Sequence, residues 1–274
     1  MDAHAVLVEV HRRLTGLYGE PPQKRQEPLD LLVRTILSQN TSDRNRDRAY
    51  ASLRSRWASW EEVLEAPVEE LADAIKGAGL HHQRAKRIQE VLGRIQARQG
   101  RLELGFLRRM PPAEAESWLL SLPGVGKKTA YIILLMGFGI PRFPVDTHVG
   151  RVTTRLGVVR RGVEPHKALA PVIPAGRETA LHLNMIRLGR EVCVAGRPRC
   201  ADCPLPELCA YIMHKADPKL RAALREGKTP PVLVRRAGEV VTSKPDRPGL
   251  LALLSDPAVS SAEAASSAAV KEVP

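Results

Sequence analysis

The residues best placed to do chemistry are four cysteines and a pair of lysines. Cys193, Cys200, Cys203 and Cys209 lie within 17 positions in the order C-x6-C-x2-C-x5-C. Four soft thiolates this close together suit either a tetrahedral zinc ion or an iron–sulfur cluster. Structural zinc more often uses two separated CxxC knuckles, and the chain has one, Cys200 to Cys203. Spacing alone leaves both metals open. A disulfide framework would spread its cysteines more widely and follow a signal peptide, so the pattern points to a metal site in a reducing compartment.

The lysines close a glycine turn, Leu122-Pro123-Gly124-Val125-Gly126-Lys127-Lys128-Thr129-Ala130, set between two helical stretches. Pro123 ends the first stretch, the glycines permit a sharp turn, and an apolar helix follows to about Phe138. Backbone N–H groups at such a turn point outward, where a phosphate approaches without a Cβ in the way and the helix dipole favours its charge. A turn of this composition also serves merely to join two core helices. The adjoining Lys127 and Lys128 shift the reading toward a sequence-independent grip on a nucleic-acid backbone.

This segment resembles the helix–hairpin–helix of DNA glycosylases, whose LPGVGxKTA pattern it matches with Lys127 at the variable place. Eighteen residues past Lys128 comes Val145-Asp146-Thr147-His148, and the resemblance extends to the endonuclease III family. It implies a reactive lysine at Lys128 and a carboxylate partner at Asp146, with Lys127 a phosphate contact or a solvated charge. A lysine amine attacks a sugar C1′ only when neutral, so partial burial or nearby positive charge has to lower its pKa. Attack expels the base and leaves a Schiff base, from which β-elimination breaks the strand on the 3′ side. Asp146 would stabilise positive charge at C1′ or assist proton transfer, and would also cap a helix starting near Thr147. C1′ is inaccessible inside a duplex, so the nucleotide must first leave the stack.

The same resemblance makes the four cysteines ligands of a [4Fe–4S] cluster whose role is structural, cross-linking a loop with little core of its own. Arg190, Arg197 and Arg199 put positive charge there, facing the DNA backbone or donating to the cluster sulfurs. Ile36-Leu37-Ser38-Gln39-Asn40-Thr41-Ser42-Asp43 resembles the helix end from which a polar side chain fills the gap left by a flipped nucleotide. The common family form has Gln where Asn40 stands, and Gln39 falls one place earlier. Gly79-Leu80-His81-His82 resembles the loop that supplies an apolar wedge, with Leu80 in that role. Leu122, Gly124, Gly126, Lys127, Thr129, His148 and Arg190 complete the implied DNA contacts.

Helices must position these groups. Leu29, Leu32, Val33, Ile36 and Leu37 recur at helical spacing, as do Val63, Leu64, Leu71 and Ile75, and again Ile88, Val91, Leu92 and Ile95,. Pro111 and Pro112 sit where a helix would begin, with Trp118, Leu119 and Leu120 on its apolar side,. Strand-like alternation is scarce before residue 211, which makes the chain all-α. Its 274 residues suffice for one large domain or two small ones. The resemblance, covering about residues 20–212, implies a two-domain helix–hairpin–helix DNA glycosylase fold: a six-helix barrel over 23–140, and an iron–sulfur cluster domain made of 1–22 and 141–212. From about Asp217 onward prolines and small side chains read as flexible, so 213–274 forms a C-terminal extension, with a short docked strand at 232–234 or 239–242 as the alternative.

The net charge is +12 and the pI near 10.0. The excess sits in the folded body, where residues 1–211 hold 32 Lys+Arg against 23 Asp+Glu. Such a surface favours polyanions, nucleic acid or anionic membrane. Aromatics at 4% argue against a surface built mainly on base stacking. The longest apolar run, residues 130–136, is far shorter than the ~20 residues a membrane span needs, and residues 1–10 lack the h-region of a secretory signal. The expectation is a cytoplasmic monomer, nucleoid-associated if bacterial, that binds double-stranded DNA containing damaged bases or abasic sites and no membrane. The implied activity is that of a bifunctional glycosylase and abasic-site lyase acting on oxidised pyrimidines. Competing readings are a monofunctional glycosylase for uracil, thymine or adenine mispairs, a non-catalytic DNA-binding paralogue, and a zinc-bearing nucleic-acid module.

Overall fold

Each apolar stripe seen in the sequence lies on a helix, and no strand occurs among the described residues. The computed structural model describes residues 2–22, 25–215 and 218–227. The alternative strand at 232–234 or 239–242 and most of the expected extension lie outside them. The chain runs α1 (Ala3–Tyr18), α2 (Pro28–Ser38), α3 (Asp43–Arg56), α4 (Trp60–Glu65), α5 (Val68–Ala74), α6 (His81–Gln99), α7 (Pro112–Ser121) and α8 (Lys127–Ile132). It continues through α9 (Thr147–Leu156), α10 (Pro165–Leu169), α11 (Glu178–Glu191), α12 (Ala210–Lys215) and α13 (Pro218–Arg225).

Local chemistry sets most helix starts. Asp2, Ser42, Ser59 and Asp146 each accept a backbone N–H of the first turn with a side-chain oxygen, and Pro28, Pro112 and Pro165 occupy the opening turns where no N–H is needed,. Helix α8 passes directly into a π-helical stretch, Ile133–Phe138, all six residues of which are buried. That rod is the centre of a first core in which Leu32, Val33, Ile36, Leu53, Ile75, Ile88, Leu92, Leu107, Leu119 and Leu134 are closed off from solvent. Emptying one such site, for example Leu134→Ala, costs about 2–5 kcal/mol.

A second core gathers Leu7, Val10 and Leu14 of α1 with Val149 and Val152 of α9, Leu181 and Met185 of α11, and Cys203, Leu205, Cys209 and Ile212. The first helix therefore packs with residues more than a hundred positions away. Leu183 of α11 belongs to the first core, so α11 is shared by both.

One expectation is corrected. Residues from 217 onward were expected to be flexible, yet Pro218–Arg225 is helical, and Leu220 and Leu224 pack against the second core. Two leucines at i, i+4 spacing give a short helix enough apolar face to dock. The density of prolines farther along the sequence hides this.

Candidate active site

The turn between α7 and α8 owes its shape to one glycine and one arginine. Val125 donates its N–H to the Leu122 carbonyl at 3.2 Å, and Gly124 sits at φ +72°, a left-handed conformation suited to glycine,. A Cβ at Gly124 would fall 2.4 Å from Cδ and Nε of Arg87. Arg87, on α6, lies directly against the turn and donates to Gln39 Oε1 at 3.0 Å, while Gln39 Nε2 donates to the Gly124 carbonyl at 2.9 Å. No side chain caps α8, whose first turn opens from exposed Gly126. Leu122 and Thr129, expected at the DNA surface, are buried, so their side chains belong to the core.

Lys128 and Asp146 stand in the first turn of α8 and at the cap of α9. Asp146 Oδ1 accepts both His148 N (2.9 Å) and Val149 N (2.8 Å), an N-cap that leaves Oδ2 for other work,. His182 of α11, only 2% exposed, meets the Pro144 carbonyl two residues before Asp146. Burial drives its pKa down to about 4; the Asp146 carboxylate pulls the other way and the Lys128 ammonium reinforces the fall,. Contacts of neighbouring residues link the two segments: Lys127 pairs with Glu164, Glu164 Oε1 lies 2.9 Å from His166 Nδ1, and His166 Nε2 accepts the Val145 N–H at 3.3 Å. Lys128 itself is exposed in the opening turn of α8, which leaves nearby positive charge, of the two means expected, to favour its neutral form. Lys127 pairs with Glu164 at 3.6 Å, so a carboxylate partly offsets the positive charge expected beside Lys128.

The lesion-side loops meet the turn. Asn40 is exposed at φ 52°, and Leu80 is 60% exposed at φ 49°. Asn tolerates the left-handed region better than most side chains. Leu80 there is a strained apolar tip held out to solvent. Arg84, buried three residues into α6, donates to the carbonyls of Leu37 and Gln39 and so closes the C-terminus of α2. His148 is half-buried, its Nδ1 3.1 Å from Arg151. Gly189 lets α9 approach α11 there, since a Cβ would lie 2.8 Å from the His148 Cβ. Arg190 is engaged with Asp43 at 2.7 Å.

The profile of the HhH-GPD superfamily base excision DNA repair proteins matches residues 33–170. The chain belongs to that family. Endonuclease III of Thermotoga maritima is 34% identical over 200 residues, covering 72% of this chain and 90% of the relative. A trapped endonuclease III–DNA covalent intermediate superposes with a TM-score of 0.68 at 27% identity, covering 79% of this chain and all of the other. A thermostable thymine-DNA glycosylase gives 0.65 at 25% identity, covering 77% and 96%. The protein is a base-excision-repair DNA glycosylase of the endonuclease III kind, and its all-helical fold is the family's.

In this HhH-GPD chain the four cysteines line one small pocket with Arg155, Pro198, Arg199 and Tyr211. Among the described residues no three His, Cys, Asp or Glu side chains converge on one point as a single ion requires. Burial pushes the Cys203 thiol up to about 12 and raises Cys200 and Cys209. Arg155 donates to Cys193 Sγ at 3.2 Å and to the carbonyls of Val194 and Ala195 at 2.8 and 2.9 Å, and stacks over Tyr211. Arg151 adds a bond to the Cys193 carbonyl at 2.8 Å. Arg197 and Arg199 are exposed; the donor to sulfur is Arg155.

Sequence reading missed Arg84, Arg87, Arg155, His166 and His182. Arg84 carried a signal, since it falls on the same helical stripe as Ile88, Val91 and Ile95, where a charge demands a partner. No helix among the described residues is long and apolar enough to cross a membrane.

Proposed function

We propose that this chain removes oxidised pyrimidines from double-stranded DNA and then cleaves the abasic site, with Lys128 as nucleophile and Asp146 as its carboxylate partner. The observation that supports the proposal is the run of contacts from Lys127, beside Lys128, through Glu164 and His166 to Val145, beside Asp146. Bending the duplex over the exposed hairpin would bring phosphates to the Gly124–Gly126 backbone and to Lys127. Leu80 and Asn40 would enter the stack from opposite sides of the flipped nucleotide, and Gln39, tied to Gly124 and Arg87, would stay with the hairpin. The Lys128 Nζ lone pair attacks C1′, the N-glycosidic bond breaks and the base leaves with its electron pair. The amine then loses its proton, and its lone pair opens the sugar by breaking the C1′–O4′ bond, with O4′ taking up a proton, which leaves a Schiff base. Removal of a C2′ proton expels the 3′ phosphate. Oδ2 of Asp146 stabilises the charge at C1′ and relays these protons. Desolvation of the exposed amine comes from the bound DNA.

We read the two cores as two domains, 23–140 and 1–22 with 141–212, acting as a monomer with the lesion between them. Cys193, Cys200, Cys203 and Cys209 would hold a [4Fe–4S] cluster, which when bound cross-links the loop between α11 and α12. Purified protein should then absorb broadly in the visible and contain iron but no zinc.

Borohydride with duplexes carrying oxidised pyrimidine should trap a covalent adduct that Lys128→Gln abolishes. The fold shared with a thymine-DNA glycosylase favours a monofunctional second reading: base release without strand cleavage would establish it. Trapping by the Lys128→Gln protein would overturn the assignment of the nucleophile.

A further inference from the structure

The peptide bond joining Pro144 to Val145, one residue before Asp146, is gripped on both sides by imidazoles. Its carbonyl accepts a hydrogen bond from His182 Nδ1 at 2.9 Å. Its N–H donates to His166 Nε2 at 3.3 Å. The two rings come from different helices, α11 and α10, and each is braced by an aromatic edge: Tyr131 against His166 at 5.2 Å, Phe143 against His182 at 6.0 Å.

These bonds fix the protons. A carbonyl only accepts, so His182 carries hydrogen on Nδ1. An amide N–H only donates, so His166 Nε2 is bare, the ring is neutral, and its proton sits on Nδ1, 2.9 Å from Glu164 Oε1,. Glu164 in turn caps α10 through His166 N and Lys167 N and pairs with Lys127 of the hairpin helix. A continuous path therefore runs from the residue beside the nucleophile, through Glu164 and His166, to the backbone that carries Asp146.

Resting on the assignment of Lys128 and Asp146 made above, we propose that His166 and His182 are positioning residues that clamp this peptide and so set the Asp146 carboxylate against the amine. Neither touches the nucleotide. Their loss lets the carboxylate drift, and misplacement of about 1 Å costs on the order of 100-fold in rate.

The test combines kinetics with tautomer assignment by nitrogen-15 NMR of the histidine rings. Both wild-type histidines should be Nδ1–H tautomers. His166→Phe and His182→Leu remove the grip, and should lower the single-turnover excision rate about 10–100-fold while leaving affinity for a lesion duplex unchanged. His166→Gln places an amide oxygen near Nε2 and His182→Asn an amide nitrogen near Nδ1; both should recover most of the rate. Wild-type rates in His166→Phe and His182→Leu, or an Nε2–H tautomer on His166, would overturn the clamp. Equal losses in the Gln and Phe variants at position 166 would also overturn it. If His182→Leu does not fold, His166→Phe and the wild-type tautomers decide alone. Lys128→Gln is measured in parallel: if it still traps DNA, the underlying assignment fails whatever the histidines do.

Discussion

Replacing Gly124 by alanine strikes the hairpin in two separable ways. The first is backbone strain: at φ +72° a Cβ costs about 1–2 kcal/mol. The second is steric. The new carbon would sit 2.4 Å from Arg87 Cδ and Nε, so the arginine must swing away and give up its bond to Gln39, a further loss of about 1 kcal/mol. Together they predict a destabilisation of about 2–3 kcal/mol, a fall in Tm of roughly 5–10 °C for a chain of this size. Urea titrations of G124A, R87A and G124A/R87A separate the parts. With Arg87 already gone, the alanine should cost only its backbone strain, so the cycle should show a coupling of about 1 kcal/mol. Equal costs of G124A in the two backgrounds would refute the steric argument, and an unchanged stability in G124A would refute both. G124A should also weaken binding to undamaged duplex, since the same Gly124 carbonyl anchors Gln39.

Three other outcomes follow. His182 is held neutral in the folded protein, to about 4 from an ordinary 6.5. The unfolded chain therefore binds a proton first as pH falls, and stability present above pH 6.5 declines by about 3 kcal/mol on the way to pH 4. Denaturation at a series of pH values should find this slope in the wild type and a shallower one in His182→Asn. Leu80→Ala, at a 60% exposed position, should leave stability within about 0.5 kcal/mol yet slow excision sharply in single-turnover assays; unchanged excision would deny Leu80 a wedge role. Arg155→Leu removes the donor to Cys193 Sγ and should lower the loop's metal affinity about 10–100-fold, seen as faster bleaching of visible absorbance under chelator.

The helices were legible because their apolar residues repeat on one face, and the hairpin because two glycines, a proline and two lysines crowd into nine positions. That the four cysteines would meet in one place was legible from their spacing. What escaped depends on meetings between distant segments. Nothing local to Arg87 announces that it will rest on Gly124, and nothing around His166 or His182 announces a shared peptide. Which of burial or nearby charge acts on Lys128 was not legible, because the exposure of a side chain in the opening turn of α8 depends on how that helix packs. Helix α13 was overlooked because composition averaged over sixty residues conceals a face made by Leu220 and Leu224.

The sharing of the second core between α1 and α9–α11 has a consequence for biosynthesis. By the time Phe138 has left the ribosome, the first core lacks only Leu183. The leucines and valine of α1, made before any of it, still have no partner. At about 5–20 residues per second, some 8–30 s of translation separate the end of α1 from the start of α11. For the last roughly 40 residues of that interval, about 2–8 s at the same rate, the nascent chain carries a sticky N-terminal helix beside a nearly finished domain, and the second core closes only when α1 meets α9 and α11.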